Sequence, residues 1–81
     1  MSKLIFKYDK LIGKIVEKYK TRGKFAEAMD ISERSLSLKL NGKVPFTQQE
    51  ILKACELLEI DNSDIGIYFF TAIVQKIELG A

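Results

Sequence analysis

The 81-residue sequence contains no histidine, a single cysteine and a single proline. Without histidine, every His-based nucleophile triad and the commonest general acid–base group are missing, and one thiol cannot by itself complete a transition-metal site. The expectation is a protein that is not an enzyme and needs no metal or cofactor. Cys55 has no partner for an intramolecular disulfide, which fits a reducing cytoplasm better than secretion. Long apolar runs are missing too. The longest, Ile65 to Val74, is too short to span a bilayer and is broken by Gly66 and Thr71. Lys3, Lys7, Lys10 and Lys14 interrupt the N-terminal apolar stretch, so it does not read as a secretory signal. A cytoplasmic protein with neither a membrane nor a small-molecule substrate as partner is expected. No repeat, low-complexity tract or linker divides the chain, so residues 1–81 read as one domain with 71–81 as its tail.

What is present is a globular composition, 47% hydrophobic and 30% charged. A chain of this length buries only about 60–65% of its unfolded surface, so a partner subunit that covers more of it is worth expecting. The net charge of +2 conceals a polarity. Residues 1–46 carry eleven Lys/Arg against five Asp/Glu, whereas residues 47–81 carry two against six. The basic half can orient the molecule on an anionic surface; the bland alternative is that these charges only solvate helix faces.

Local signals predict five helices. In the first, Asp9 is a candidate cap, and Leu11, Ile12, Ile15, Val16 and Tyr19 recur on one face. Thr21 is placed to cap a short second helix carrying Phe25, Ala26, Ala28 and Met29. Asp30-Ile31-Ser32 reads as a tight turn, with Asp30 tolerating left-handed backbone and Ser32 capping a third helix from about Glu33 to Leu40. Asn41-Gly42 is its stop signal. Thr47 and Glu50 form a capping box for the fourth helix, flanked by a Phe46/Ile51 staple. Its stripe of Ile51, Ala54, Cys55 and Leu58 makes Cys55 a packed apolar side chain rather than a reactive thiol. Asp61 or Ser63 is placed to cap a short fifth helix through Ile65 and Tyr68. The tail from Thr71 to Leu79 suits either a strand or a helix.

Helices two and three, joined by a three-residue turn over about 22–40, have the form of a helix-turn-helix. At about 100° per residue, Leu36 and Leu40 share the buried sector of the third helix, and Arg34, Ser37, Leu38 and Asn41 project from the other side. Arg34, Ser37 and Leu38 supply a guanidinium for guanine, a hydroxyl and an apolar group for a thymine methyl, and are the candidate base-reading set. Leu38 could equally pack under the following loop. Asn41, Lys43 and Thr47, near the positive end of helix four, with Arg22 and Lys24 at the start of helix two, are candidate phosphate contacts; routine capping and solvation are the competing readings.

Phe25-Ala26, Met29, Asp30-Ile31-Ser32, Leu36-Ser37, Lys39-Leu40-Asn41-Gly42 and the segment from Phe46 to Leu58 together resemble the lambda-repressor-like helix-turn-helix superfamily, and within it the Cro-like regulators of phages and prophages. The likeness extends to the opening Phe6 to Leu11, to Tyr68-Phe69-Phe70 and to Val74-Gln75-Lys76. It implies an all-α, five-helix DNA-binding domain in which Ala26 lets helices two and three approach and Asn41 with the loop beyond it engages phosphate. The chain departs from the pattern at Asp30, where glycine is frequent, and at Arg22, where glutamine is frequent.

The leading expectation is thus a transcriptional regulator that binds a two-fold DNA operator as a homodimer. Phe69, Phe70, Ile73, Val74 and Ile77 are the candidate dimer contact, setting the two copies of helix three about 34 Å apart. A competing repressor is a further expected partner. The alternative, from a different functional class, is a protein-interaction module such as an antirepressor that binds a repressor; the low net charge and the apolar Leu38 point to it.

Overall fold

Five helices and two short strands succeed one another in a computed structural model that describes residues 2–76. Strand β1 (Ser2–Phe6) leads into α1 (Asp9–Tyr19), α2 (Arg22–Met29), α3 (Glu33–Leu40) and α4 (Gln48–Leu58). A 3₁₀ turn over Asn62–Asp64 then opens α5 (Ile65–Phe69), and β2 (Ala72–Lys76) follows. The expected five helices are found, and α2 and α3 are joined by the three residues 30–32. The tail takes the strand form as far as Lys76; Ile77 and Leu79 lie outside the described residues.

Helices α2, α3 and α4 each start on a short-range signal. The hydroxyl of Thr21 accepts from the N–H of Lys24, that of Ser32 from Ser35, and Thr47 and Glu50 exchange both bonds of the capping box. Asp9 does not cap α1: Tyr8 holds the cap position without a side-chain bond, and Asp9, already inside the helix, pairs with Lys7 at 3.3 Å. Helix ends are equally specific. Asp30 (φ 63°), Gly42 (φ 76°) and Glu59 (φ 57°) are left-handed, and the N–H following each reaches back five residues, to the carbonyls of Ala26, Leu38 and Cys55. This is the Schellman closure, which satisfies carbonyls that a helix end otherwise leaves open. Asn41 keeps φ at −88°, so Gly42 alone supplies the reversal after α3.

The core is formed by Leu11 and Ile15 of α1, Phe25, Ala26 and Met29 of α2, Leu36 and Leu40 of α3, Ala54, Cys55 and Leu58 of α4, and Phe69 of α5. Val16 is 47% exposed rather than core, because it lies about 100° around α1 from Ile15, beyond the stripe centred on Leu11 and Ile15. Phe46 stacks edge-on against both Tyr8 and Phe69, each at 5.3 Å between ring centres, and so ties the α3–α4 loop to α5 and to the start of α1.

β1 and β2 pair antiparallel, with Leu4 opposite Val74, Ile5 opposite Ile73 and Phe6 opposite Ala72. The ladder runs into the helical body through a 2.8 Å bond from the Lys7 N–H to the Thr71 carbonyl. The molecule measures 47 × 28 × 22 Å, and its radius of gyration of 14.0 Å exceeds the about 12 Å expected for a compact chain of this length.

Candidate interaction surface on the α2–α3 unit

The α2–α3 unit is held from beneath by Phe25, Ala26, Met29, Leu36 and Leu40. Small Ala26, 1% exposed, keeps the two helices close, and its carbonyl accepts the 3.0 Å bond from the Ile31 N–H that closes the turn. With one side of α3 fixed this way, the helical repeat carries Arg34 and Asn41 outward, and both are exposed. Ser37 and Leu38 share that side but are half-buried. Beyond them the Leu38 carbonyl accepts from the N–H groups of Lys43 at 2.9 Å and Val44 at 3.3 Å, which turns the backbone of residues 42–44 back at the end of α3. The outer stripe thus presents one guanidinium, the part-covered hydroxyl of Ser37 and the part-covered side chain of Leu38.

Lys39 was not singled out by sequence reasoning. It is 7% exposed, and its ammonium lies 2.9 Å from Glu50 Oε1 while donating to the Pro45 carbonyl at 3.3 Å. Glu50 Oε1 also accepts from the Thr47 N–H at 2.9 Å. Desolvation alone would raise the Glu50 pKa, but the Thr47 N–H and the Lys39 ammonium outweigh it and hold the carboxyl below its usual range. A usable signal existed in the helical wheel, where Lys39 falls about 60° from Leu36, toward the protein rather than the solvent.

The expected phosphate contacts divide into two groups. Asn41, Lys43 and Thr47 are all exposed around the start of α4, but the capping box already employs the Thr47 hydroxyl and places the Glu50 carboxylate in that first turn. Lys24 is exposed and Arg22 half-buried at the start of α2. That turn has an anionic neighbour: Glu33 Oε1 stands 3.1 Å from where a Cβ on Gly23 would lie. Over residues 21–47 the unit carries five Lys/Arg against three Asp/Glu, and one of the five, Lys39, is committed to Glu50. Its outward charge is close to balanced.

The expected dimer residues also separate. Phe69 is 2% exposed and belongs to the core, so it cannot serve as a surface contact. Phe70 is 54% exposed and meets Phe6 edge-on at 6.2 Å. Together with Gln48, Ile51 and Leu52 it borders an open apolar groove of about 290 Å³. Ile73 and Val74 lie in β2, hydrogen-bonded to β1 of the same chain, and Ile77 lies outside the described residues.

Among the described residues no group of His, Cys, Asp and Glu side chains is arranged to hold a metal ion. Burial pushes the Cys55 thiol pKa up, away from the thiolate. No described helix is long and apolar enough to cross a membrane.

Among curated proteins, none matches the chain significantly. Among solved structures, the chain is similar to the solution structure of the modulator of repression (MOR) of the temperate bacteriophage TP901-1 from Lactococcus lactis. The two are 52% identical, the match covers 80% of this chain and 88% of that one, and the TM-score is 0.72. A family model described as a protein of unknown function matches residues 4–72, and the chain belongs to that family, DUF739.

Proposed function

We propose that this protein modulates phage repression by binding a phage repressor through the outer side of its α2–α3 unit. The observation that carries this reading is the 52% identity, over most of both chains, to a modulator of repression. The surface chemistry agrees with a protein partner. Half-buried Ile31 and Leu38 flank exposed Arg34, and the cations of the unit are nearly matched by Glu27, Asp30 and Glu33. A surface that tracks duplex phosphate is ordinarily strongly basic, whereas protein interfaces favour an arginine set among apolar groups. On this reading the protein works in the bacterial cytoplasm and does no chemistry.

A second reading, the operator-binding Cro-like homodimer, is favoured by the exposure of Arg34 on α3 beside Asn41 and Lys43. It gives Arg34, Ser37 and Leu38 to bases, Arg22, Lys24, Asn41, Lys43 and Thr47 to phosphates, and dimer contact to Phe70 with the β2 tail. Mobility shifts separate the two. The repressor of the same phage is titrated onto its operator with and without this chain, and the chain is titrated alone. Altered repressor binding at chain concentrations that shift no DNA supports repressor docking. A sequence-specific shift by the chain alone, with the repressor's affinity unaffected, refutes it.

A further inference from the structure

We infer that Glu33 is the residue that turns the α2–α3 face away from nucleic acid, because its carboxylate lies over the first turn of α2, where a helix-turn-helix would otherwise hold a backbone phosphate. The inference rests on the proposed protein-binding role of this face. Glu33 opens α3 and falls about 60° from Leu36 on the helical wheel, so it is directed toward α2 rather than along the outer stripe of Arg34 and Leu38. Gly23, the second residue of α2, has no side chain to hold it off, and Oε1 stands 3.1 Å from the vacant Cβ position. A Cβ there would push the carboxylate aside by a few tenths of an ångström.

Glu33 suits the positive end of α3, as an acid in any first helical turn does, but neither burial nor an ion pair accounts for its place over α2. Glu33 is exposed, so the core does not need it. Among the described residues, the ion pairs are Lys7–Asp9, Lys18–Glu59 and Lys39–Glu50, so neither Arg22 nor Lys24 of the same turn neutralises Glu33. The first turn of α2 offers the positive end of the helix dipole and two cations, the usual equipment for a phosphate. A negative charge within a few ångströms of that place repels a phosphate and weakens the contact without altering the fold. A partner that brings no phosphate to this spot escapes the penalty.

The test compares binding of the full chain to a random-sequence DNA duplex, by fluorescence anisotropy across a salt series, for wild type, Glu33→Gln and Glu56→Gln. Glu56 is an exposed carboxylate on α4 and controls for the simple change in net charge. At a separation of about 4–5 Å in a watery setting, removing the repulsion should raise duplex affinity about fivefold at low salt, with the gain shrinking as salt screens it. Glu56→Gln should give less than half that gain. Thermal melting of each variant should remain cooperative. Unchanged duplex affinity of Glu33→Gln, or an equal gain from Glu56→Gln, overturns the inference. Tight duplex binding by the wild type that persists at physiological salt would instead count against repressor docking, and the ratio of Glu33→Gln to wild type would still report on Glu33 itself.

Discussion

Replacing Lys39 with methionine tests whether the Lys39–Glu50 pair fixes the junction between α3 and α4. Methionine keeps most of the buried aliphatic stem and removes only the ammonium. Glu50 then loses a cation at 2.9 Å, with its side chain 21% exposed, and the Pro45 carbonyl loses a donor at 3.3 Å. Removing one partner of a fully buried ion pair costs about 3–5 kcal/mol. Glu50 keeps some solvent and its bond from the Thr47 N–H, so a smaller loss of about 2–3 kcal/mol is expected near pH 7. In a domain of this size that corresponds to a fall in Tm of roughly 10–20 °C. The pH dependence gives a sharper signature. The folded Glu50 pKa is depressed, so its ionised form contributes stability above the unfolded carboxyl pKa, and that contribution is lost as pH falls through the folded value. Lys39→Met weakens the depression, so the gap between variant and wild type should be widest at neutral pH and close in acid. Urea unfolding followed by circular dichroism from pH 7 down to pH 3 measures it. A gap of the same size across that range, or no loss at pH 7, would refute an electrostatic role for the pair.

Asp30→Gly should stabilise the protein by about 0.5–1 kcal/mol, because φ is 63° there and glycine adopts that conformation without steric penalty; a fall in Tm would show that the Asp30 side chain itself supports the turn. Phe69→Ala should cost about 3–5 kcal/mol through loss of a ring that is 2% exposed and stacked on Phe46, whereas Phe70→Ser should leave thermal stability within about 1 kcal/mol. If the exposed Phe70 helps join two copies, Phe70→Ser should also shift sedimentation from dimer toward monomer; identical sedimentation of the two proteins removes Phe70 from any dimer contact. Leu38→Asp should abolish the chain's effect on a phage repressor while leaving the helical content intact, and an undiminished effect would move the docking surface off α3.

The features legible in the sequence are those whose cause lies within a few residues. Thr21, Ser32 and the Thr47/Glu50 box each act on an N–H three positions away, and the structure forms all of those bonds. Glu59 was not legible as a left-handed terminus, since glutamate has no intrinsic liking for that region. It takes that conformation as its own N–H and that of Ile60 close onto the carbonyls of Glu56 and Cys55, while its carboxylate meets Lys18, forty-one residues earlier, at 2.8 Å. The same reason hid β1. Ser2–Phe6 becomes a strand by pairing with Ala72–Lys76 at the other end of the chain, which no local pattern records. At the candidate site the helical repeat correctly separated Leu36 and Leu40 from Arg34, but it could not show that Ser37 and Leu38, on the outer side, are half-buried. Nor could it weigh Glu33, whose setting is created by Gly23, ten residues earlier on a different helix. This limits what the motif says about function. Caps, turn and core spacing build an α2–α3 unit that would be the same whether its outer side met a duplex or a protein. The choice between them depends on a few side chains whose neighbours are assigned only by tertiary packing: Lys39 withdrawn to Glu50, Leu38 partly covered, and the Glu33 carboxylate set over α2.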